Sequence, residues 1–247
     1  MSPGSKKWLE GKSIYEFWLY QWEGVDPQTG YGYYQMNEET DPNTGEYTGK
    51  QVSVPEADQI TVNGKQYTTS YTYAKKDFSG ASIPKVYGGF NLNVSWKNLS
   101  MAAVFSYQLG GKVLDTTYAD LMNNATGYGN AMAADLLKSW MKPGDKSDFP
   151  MLSADGTYNS NMNQSYSTRW LTSSNYLNLR SINLSYELPK SILNKIQVKS
   201  ARLSAACENV FMIKARQGLN PMANFTGMTY NEYMPSRNFT LGLNVSF

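Results

Sequence analysis

The final stretch of the chain, RNFTLGLNVSF (Arg237 to Phe247), decides which fold the sequence predicts. Apolar side chains occupy every second position, and each residue between them is polar or glycine. The apolar positions are Phe239, Leu241, Leu243, Val245 and Phe247. Alternation this strict predicts a β-strand with one apolar face. The length matches the roughly 9–11 residues that a strand tilted by about 45° needs to cross the hydrocarbon layer of a membrane.

The same alternation recurs upstream in two adjacent segments that predict a hairpin. In the first segment, apolar and polar residues alternate from Phe90 to Trp96, with Leu92 and Val94 on the apolar face. In the second, alternate positions from Leu99 to Tyr107 share one apolar face. Only Lys97-Asn98 separates the two segments, which predicts a tight two-residue turn.

Three further segments are predicted strands with less regular patterns. Between Tyr176 and Leu188 the apolar positions change parity, as a β-bulge around Arg180-Ser181 would produce. Val198 to Phe211 alternates again, with Cys207 among the small side chains of one face. A lone cysteine is usually a small apolar residue of this kind. Lys12 to Glu23 (KSIYEFWLYQWE) is the earliest predicted strand and is aromatic on both faces.

The connections between these six predicted strands alternate in length. Lys97-Asn98 and Pro189 to Gln197 are short, whereas residues 24–87, 110–174 and 214–236 form long polar segments. Outer-membrane barrels have short periplasmic turns and long extracellular loops, so the alternation predicts such a barrel, with its C-terminus in the periplasm. Six strands cannot close a transmembrane barrel, for which eight is the practical minimum. The sequence therefore predicts an all-β fold that is part of a larger barrel.

The composition excludes several other classes of function. With 22 Lys and Arg against 20 Asp and Glu, the net charge is only +2, and no basic run suggests a nucleic-acid partner. The chain has no histidine, which removes the usual general base and zinc ligand. We therefore expect no enzymatic activity, no metal site and no cofactor. No apolar run is long enough for a transmembrane helix, and the first residues lack the apolar core of a signal peptide.

The pattern Asp-Pro-x-Thr-Gly occurs twice, at residues 26–30 and 41–45. Its chemistry predicts a turn, because Asp accepts hydrogen bonds from the following amides, Pro fixes φ and Gly takes the left-handed position. The alternative is a calcium site made by the loop carboxylates, which no EF-hand spacing supports.

Aromatic side chains in the long segments could stack on a sugar or another flat ligand. The alternative is that they belong to the girdles that Trp and Tyr form at membrane interfaces. The candidates are Trp140, Trp170, Tyr118 and Tyr128, followed by Tyr158 and Tyr166. The residues from Trp140 to Asp145 predict the end of a short loop helix that starts around residues 129–137 and stops at Pro143-Gly144.

Six stretches of the chain resemble the C-terminal third or so of the SusC/RagA family of TonB-linked outer-membrane transporters of the Bacteroidota. They are KSIYEFWLYQWEGVDPQTG (12–30), PKVYGGFNLNVSWKNLSMAAVFSYQLGG (84–111), WMKPGDKSDFPML (140–152), SNYLNLRSINLSYEL (174–188), ENVF (208–211) and PSRNFTLGLNVSF (235–247). Each stretch alone is a weak match. Their order and spacing over nearly the whole chain make the resemblance specific.

This resemblance implies a 22-stranded barrel whose lumen holds an N-terminal plug domain. It also implies a SusD-like surface lipoprotein as a lid and energy from TonB for the import of glycans or peptides. Residues 1–247 would be the C-terminal part of that barrel, without the plug, the TonB box or a signal peptide. In the family the last strand is the signal for the barrel-assembly machinery, which pairs with it by strand addition. Its terminal aromatic corresponds to Phe247, preceded here by Val245, Leu243, Leu241 and Phe239.

Two other functions stay open at this point. A soluble or surface β-sandwich could bind glycans through its aromatic loops, and it would bury the apolar strand faces in one core. A barrel instead spreads those faces over an outward band about 25 Å tall. An outer-membrane enzyme with its site in the loops would need a nucleophile–base pair, which the sequence does not offer.

Overall fold

The computed structural model describes residues 4–124 and 129–247, and the chain divides into two compact units. Unit 1 comprises Met1–Ser82, Val113–Thr172 and Thr226–Asn231. Unit 2 comprises Ile83–Lys112, Ser173–Phe225 and Glu232–Phe247.

The secondary structure is mostly strands. In chain order they are β1 (Glu16–Tyr20), β2 (Trp22–Val25), β3 (Gly32–Tyr34), β4 (Glu38–Thr40), β5 (Tyr47–Gln51), β6 (Gln59–Val62), β7 (Lys65–Thr68), β8 (Lys76–Ala81), β9 (Val86–Trp96), β10 (Leu99–Leu109), β11 (Lys112–Leu114), β12 (Leu171–Ser173), β13 (Tyr176–Glu187), β14 (Ser200–Lys214) and β15 (Asn238–Ser246). The α-helices are α1 (Thr116–Leu121), α2 (Gly156–Met162) and α3 (Lys190–Ile196). Single 3-10 turns lie at Glu56–Asp58, Tyr71–Tyr73, Ala134–Lys138 and Thr168–Trp170.

Unit 2 is built on one antiparallel sheet of five strands in the order β15-β14-β13-β10-β9. These are five of the six strands that the sequence predicts. The predicted hairpin is confirmed, because Trp96 of β9 lies opposite Leu99 of β10. Lys97 accommodates the two-residue turn by adopting a positive φ of 54°.

The predicted bulge in β13 is confirmed at Arg180. Leu179 lies opposite Phe105 of β10 and Ser181 lies opposite Val104, so Arg180 has no partner in that ladder. The extra residue changes which parity of β13 faces a given side. The change of parity in the sequence therefore reflects a local insertion in one continuous strand.

The short connection between β13 and β14 contains α3, which the sequence does not predict. Pro189 occupies the N-cap position, where its fixed φ is compatible with helix entry. Gln197 ends the helix in the left-handed conformation with a φ of 55°. A single short helix thus turns the chain between two neighbouring strands.

Unit 1 contains the sixth predicted strand, Lys12 to Glu23, and the prediction that it belongs with the others is wrong. Its central part is β1, which pairs with β8 in a separate two-stranded sheet. Phe17 and Leu19 of β1 are fully buried. The core around them contains Leu114, Ala119, Met122 and Trp170. The alternation in this segment therefore marks a core-facing strand of a small globular unit.

The long polar segments that the sequence predicts as loops contain much of unit 1. Residues 22–81 form a four-stranded sheet in the order β2-β3-β7-β6, the β4-β5 pair and the strand β8. The predicted loop helix is only the 3-10 turn Ala134–Lys138, and residues 125–128 lie outside the described part of the chain. In the described residues, no helix is long and apolar enough to cross a membrane.

Both Asp-Pro-x-Thr-Gly turns are confirmed. The carboxylate of Asp26 accepts hydrogen bonds from the backbone amide of Thr29 at 3.0 Å and from its hydroxyl at 2.6 Å. Gly30 then takes a φ of 74°. In the second copy Asp41 accepts from the amide of Asn43 at 2.7 Å, and Gly45 has a φ of 71°.

Candidate functional site: the apolar face of the five-stranded sheet

One face of the sheet in unit 2 is apolar from edge to edge. Residues directly opposite each other in a ladder point to the same side, so the register defines rows of side chains across the strands. One row contains Trp96, Leu99, Tyr186, Leu203 and Leu243. The next contains Val94, Met101, Leu184, Ala205 and Leu241, and a third contains Leu92, Ala103, Ile182, Cys207 and Phe239. None of these positions carries a charged side chain.

The opposite face is polar over the same rows. One row contains Ser95, Ser100, Ser185, Ser204 and Gly242, and the next contains Asn93, Ala102, Asn183, Ala206 and Thr240. A hydroxyl contact of 3.3 Å links Ser95 and Ser100. The sheet therefore separates an apolar side from a side suited to water.

The bulge at Arg180 extends the apolar face past the point where the sequence alternation breaks. Leu179 lies beside Phe105 on one strand and Phe211 on the other, and Phe105 lies opposite Phe90. The rings of Phe90 and Phe105 stack with centroids 4.6 Å apart and planes 10° from parallel. If the strand kept Arg180 but alternated regularly with no bulge, Leu179 would share the polar face with Asn183.

The apolar face is exposed in the described chain. Leu241 is 86% exposed, Phe239 is 76% exposed and Leu243 is 66% exposed. An exposed apolar surface that runs across five strands is far larger than the patches usual on soluble monomers. The eleven residues of β10 span about 37 Å along the strand, or about 26 Å in height at a tilt of about 45°. That height matches the apolar band of a membrane barrel.

Aromatic residues lie towards both ends of this face. Trp96 and Tyr186 belong to the row nearest the short connections, and Tyr107 lies near the opposite end of β10. Trp and Tyr are enriched where an apolar band meets the polar headgroups of lipids. Sequence reasoning singled out aromatics in the long segments and missed this pair, although their parity on β9 and β13 could have revealed it.

The predicted terminal strand is β15, an edge strand of the sheet. Its partner among the described residues is β14, and its other edge offers backbone groups for hydrogen bonding. Phe247 follows the strand directly and is 81% exposed, whereas Val245 is 36% exposed. Phe239, Leu241, Leu243 and Val245 thus lie on the apolar side of this open edge, and their role in barrel assembly, with that of Phe247, stays a prediction.

The predicted ligand contacts among the loop aromatics are mainly core residues of unit 1. Trp170 is only 3% exposed and its indole nitrogen donates to the Gln164 carbonyl at 3.1 Å, so its ring is not available for stacking on a ligand. Tyr118 packs edge-on against Trp170, and its hydroxyl donates to Asp135 at 2.7 Å. Tyr128 lies outside the described residues.

The remaining loop aromatics hold segments of unit 1 together. The indole nitrogen of Trp140 donates to the Pro27 carbonyl at 2.8 Å, and the ring covers Gly30. Tyr158 is buried, and its hydroxyl donates to the Met151 carbonyl at 3.0 Å. Tyr166 is half-buried and packs against the core. Trp170 and Tyr158 thus share a role in packing, and ligand contact by the loop aromatics stays a prediction.

The partly buried charge of Arg169 in unit 1 is also structural. The guanidinium of Arg169 lies 4.3 Å from the ring of Trp170 and 4.8 Å from that of Trp22, and it donates to the Met162 carbonyl at 2.6 Å. Burial lowers the pKa of Arg169 to about 10. Within the described residues, no three His, Cys, Asp or Glu side chains gather as metal ligands.

Comparison with known proteins supports the sequence resemblance. No protein-family model matches the chain. TonB-dependent receptor P3 of Formosa agariphila is 25% identical over 251 residues, which cover 96% of this chain and 22% of that receptor. TonB-dependent receptor P39 of the same organism is 25% identical over 176 residues, covering 68% of this chain and 17% of that receptor.

Solved structures show the same fold. The RagAB peptide transporter superposes with a TM-score of 0.67 at 22% identity, covering 94% of this chain and 23% of the matched chain. The RagAB peptide importer in its "open-open" state gives a TM-score of 0.59 at 19% identity. The predicted resemblance to the SusC/RagA family is confirmed. The chain spans about a fifth of the length of the curated TonB-dependent receptors that it matches.

The similarity to these receptors and transporters indicates a location in the outer membrane. The relatives are named as receptors and transporters, which is consistent with the expectation that the chain is not an enzyme.

Proposed function

We propose that the chain forms part of the barrel wall of a TonB-dependent outer-membrane importer. The observation that carries this proposal is the continuous exposed apolar face of five antiparallel strands, with a polar face behind it. In a barrel the apolar face would contact lipid and the polar face would line the lumen. The open edges of β9 and β15 would pair with strands outside this chain in a barrel of 22 strands, because unpaired edges are costly in hydrocarbon.

The alternation between short and long connections determines the proposed orientation in the membrane. The turn at Lys97-Asn98 and the connection containing α3 would face the periplasm, together with the C-terminus at Phe247. The long segments that make up most of unit 1 would face the exterior, where binding loops of such barrels lie. The hydrophobic core of this unit would support the loops that bind a ligand there.

The imported cargo would be a large nutrient, either an oligosaccharide or a peptide. The RagAB structures are named as a peptide transporter, which supports the peptide alternative, and the family resemblance supports both. The same resemblance supports a SusD-like lipoprotein as a partner, TonB acting through a plug domain, and the barrel-assembly machinery acting on β15.

The β-sandwich alternative is disfavoured by the exposure of the strand faces. A sandwich buries the inner faces of two sheets against each other. The side chains on this face are instead mostly exposed: 76% for Phe239, 86% for Leu241 and 66% for Leu243. A sandwich of this chain would need a second sheet against that face.

Cysteine labelling tests the proposed location and orientation. In the receptor that contains this chain, Asn43→Cys places a thiol in the exposed Asp41 turn, and Asn98→Cys places one in the short hairpin turn. Cys207→Ala in both variants removes the native thiol. We expect a membrane-impermeant maleimide to label Asn43→Cys on intact cells and Asn98→Cys only after the outer membrane is opened. Equal labelling of both variants on intact cells would contradict the orientation, and recovery of the receptor outside the outer-membrane fraction would contradict the function.

A further inference from the structure

Charge is distributed very unevenly between the two units. Unit 2 carries eleven Lys and Arg residues against three Glu and no Asp, whereas unit 1 carries eleven Lys and Arg against seventeen Asp and Glu. The near-neutral total therefore conceals a strongly basic sheet unit. No basic residue interrupts the three apolar rows, so the positive charge lies beyond the ends of the apolar face or on the opposite side.

The end of the sheet near the short connections is the more sharply defined basic region. Its basic residues are Lys97, Lys190, Lys195, Lys199 and Arg202. The acidic residue there is Glu187, which forms an ion pair with Arg202. Among the described residues, the four lysines take part in none of the ion pairs, and all four are exposed.

Two of these lysines border a pocket at the sheet end. Lys190 and Lys199 line a cavity of about 620 Å³, whose other polar lining residues are Asn98, Ser200, Asn244 and the ion pair of Glu187 and Arg202. Lys97 is adjacent to Asn98 in sequence, and its ammonium lies 4.8 Å from the centroid of the Trp96 ring. Because Arg202 already pairs with the Glu187 carboxylate, the lysine ammonium groups leave this end with excess positive charge, which suits a phosphate group.

An apolar groove lies on the apolar face of the sheet, next to this end. It has a volume of about 470 Å³ and forms where the small side chain of Ala205 lies among larger ones. The larger side chains are Leu184, Leu203, Leu241, Leu243 and Tyr186. The side chains that flank the groove belong to the two rows nearest the short connections.

The groove and the lysines are placed along one strand. Lys199 precedes Leu203 by four residues, which is about 14 Å along an extended strand. Lys199 shares the parity of Leu203, and its backbone amide still pairs with Ser246 of β15 at 2.9 Å. A molecule lying along β14 could therefore place an apolar tail over Ala205 and an anionic group near Lys199.

We infer that this end of the sheet holds an anionic phospholipid, with one acyl chain in the groove over Ala205 and its phosphate beside Lys97, Lys190 and Lys199. The inference rests on the proposed function, because it requires the apolar face to contact lipid. It adds a specific lipid class at a specific place on that face. Two observations select a lipid with a negative headgroup. The groove is continuous with the apolar band, and the excess positive charge favours a phosphate that no cation within the same headgroup balances.

Lipid titration of the intact receptor tests this inference. The delipidated receptor is titrated with phosphatidylglycerol or with phosphatidylcholine of the same acyl chains, and bound lipid is counted by native mass spectrometry. The charge variant combines Lys97→Gln, Lys190→Gln and Lys199→Gln. Its matched control combines Lys85→Gln and Lys112→Gln, two exposed lysines at the other end of the sheet. The groove variant is Ala205→Leu, and a heat-modifiable gel shift first verifies that each variant has a folded barrel.

We expect the unmodified receptor to bind phosphatidylglycerol more tightly than phosphatidylcholine. The charge variant is expected to weaken phosphatidylglycerol binding by about five-fold for each lysine removed and to weaken phosphatidylcholine binding less, because the choline cation already balances the phosphate of that lipid. Ala205→Leu should weaken both lipids, because it fills the groove, and the control should change neither.

Equal binding of the two lipids by the unmodified receptor would overturn the inference. So would a charge variant that keeps its preference, or an Ala205→Leu variant that binds like the parent. A dimeric mass that dissociates in Ala205→Leu would show that a second copy occupies the groove instead. Each of these results leaves the receptor in the outer-membrane fraction, whereas failure of the proposed function removes it from that fraction.

Discussion

At the scale of single residues, the two Asp-Pro-x-Thr-Gly turns form a natural matched pair. Gly30 and Gly45 have nearly equal positive φ values of 74° and 71°. Their surroundings differ, because a Cβ at Gly30 would come within 2.4 Å of the Trp140 ring, whereas a Cβ at Gly45 would meet nothing within 4 Å. The same backbone requirement thus occurs once in a packed site and once in an open one.

We predict that Gly30→Ala destabilises unit 1 more than Gly45→Ala does. Both variants suffer left-handed strain of about 1–2 kcal/mol. Gly30→Ala must also displace Trp140 from its hydrogen bond with Pro27, which adds about 1 kcal/mol. Amide hydrogen exchange in the receptor measures the difference, read at Met151, whose amide bonds to the Gly30 carbonyl at 2.9 Å. Equal protection at Met151 in the two variants would show that Trp140 packing does not matter.

The partly buried ammonium of Lys6 leads to a pH prediction. Burial lowers the pKa of Lys6 from 10.5 to about 8, although its ammonium donates to the Tyr15 carbonyl at 2.9 Å and lies 4.1 Å from the Phe17 ring centroid. Between pH 8 and 10.5 the unfolded chain would hold this proton and the folded chain would not. The charged Lys6 therefore lowers the free energy of unfolding below pH 8, and this penalty disappears as the pH rises from 8 to 10.5.

Competitive amine labelling followed by mass spectrometry measures the Lys6 pKa directly. We expect the reactivity of Lys6 to reach half of its maximum near pH 8. Lys6→Gln should remove the corresponding pH dependence of the local amide exchange at Trp18, whose amide bonds to the Ser5 carbonyl at 2.8 Å. A midpoint near 10.5 would contradict the prediction.

Single residues also show which features the sequence alone can predict and which it cannot. The turn chemistry of Asp26 and Gly30 is local, so the pattern alone predicts it correctly. The burial of Trp170 cannot be predicted from its neighbours in the sequence, because it depends on Phe17 and Leu114, which are distant in sequence. An aromatic residue in a polar segment has the same sequence signature whether it is a core residue or a ligand platform.

At the scale of elements, the bulge in β13 has a testable consequence. Deleting Arg180 removes the bulge and leaves Leu179 and Leu184 an even number of positions apart. A regular strand then keeps every apolar residue of β13 on one side. Inserting an alanine between Asn183 and Leu184 instead sends Leu184 and Tyr186 to the polar face. We predict that the deletion variant still assembles a heat-modifiable barrel and that the insertion variant does not.

This comparison separates register from strand length, because each variant changes the length by one residue. Outer-membrane fractions probed on gels before and after heating report how much folded barrel is present. Assembly of the insertion variant at the parental level would mean that the apolar face of β13 is not required.

The terminal strand makes a second prediction about an element. Leu241 lies on the apolar face of β15, and its neighbour Thr240 lies on the polar face opposite Ala206. We predict that Leu241→Lys costs about 2–4 kcal/mol if the residue lies near the bilayer midplane and that Thr240→Lys costs much less. Denaturant unfolding of the receptor in lipid vesicles measures both. Equal costs would contradict the assignment of the two faces.

The segment Lys12 to Glu23 shows why elements cannot all be assigned from their own pattern. Its alternation is real, since Phe17 and Leu19 are fully buried while their neighbours are only partly so. Alternation identifies a strand with two different faces, but both a small core and a lipid layer select an apolar face. The neighbour of the strand decides between them, and here that neighbour is β8.

At the scale of the whole molecule, the rows of the five-stranded sheet are more informative than any one strand. Each strand alone predicts an apolar face, and the ladders align those faces into one surface with a polar side behind it. The order of the strands and the bulge could be predicted from hairpin spacing and parity. The number of strands in the complete barrel could not, because it depends on partners for the open edges of β9 and β15.

Those open edges determine how the chain should behave when it is expressed alone. The apolar face and two unpaired edges would both be in contact with water, and both promote association. We predict that residues 1–247 without the rest of the receptor aggregate in detergent-free buffer and are recovered in detergent. A matched variant with Leu92→Asn, Leu241→Asn and Leu243→Asn should be more soluble, because it interrupts the apolar surface. Recovery of the unmodified chain as a soluble monomer by size-exclusion chromatography would mean that another part of the chain covers the face, as in the sandwich alternative.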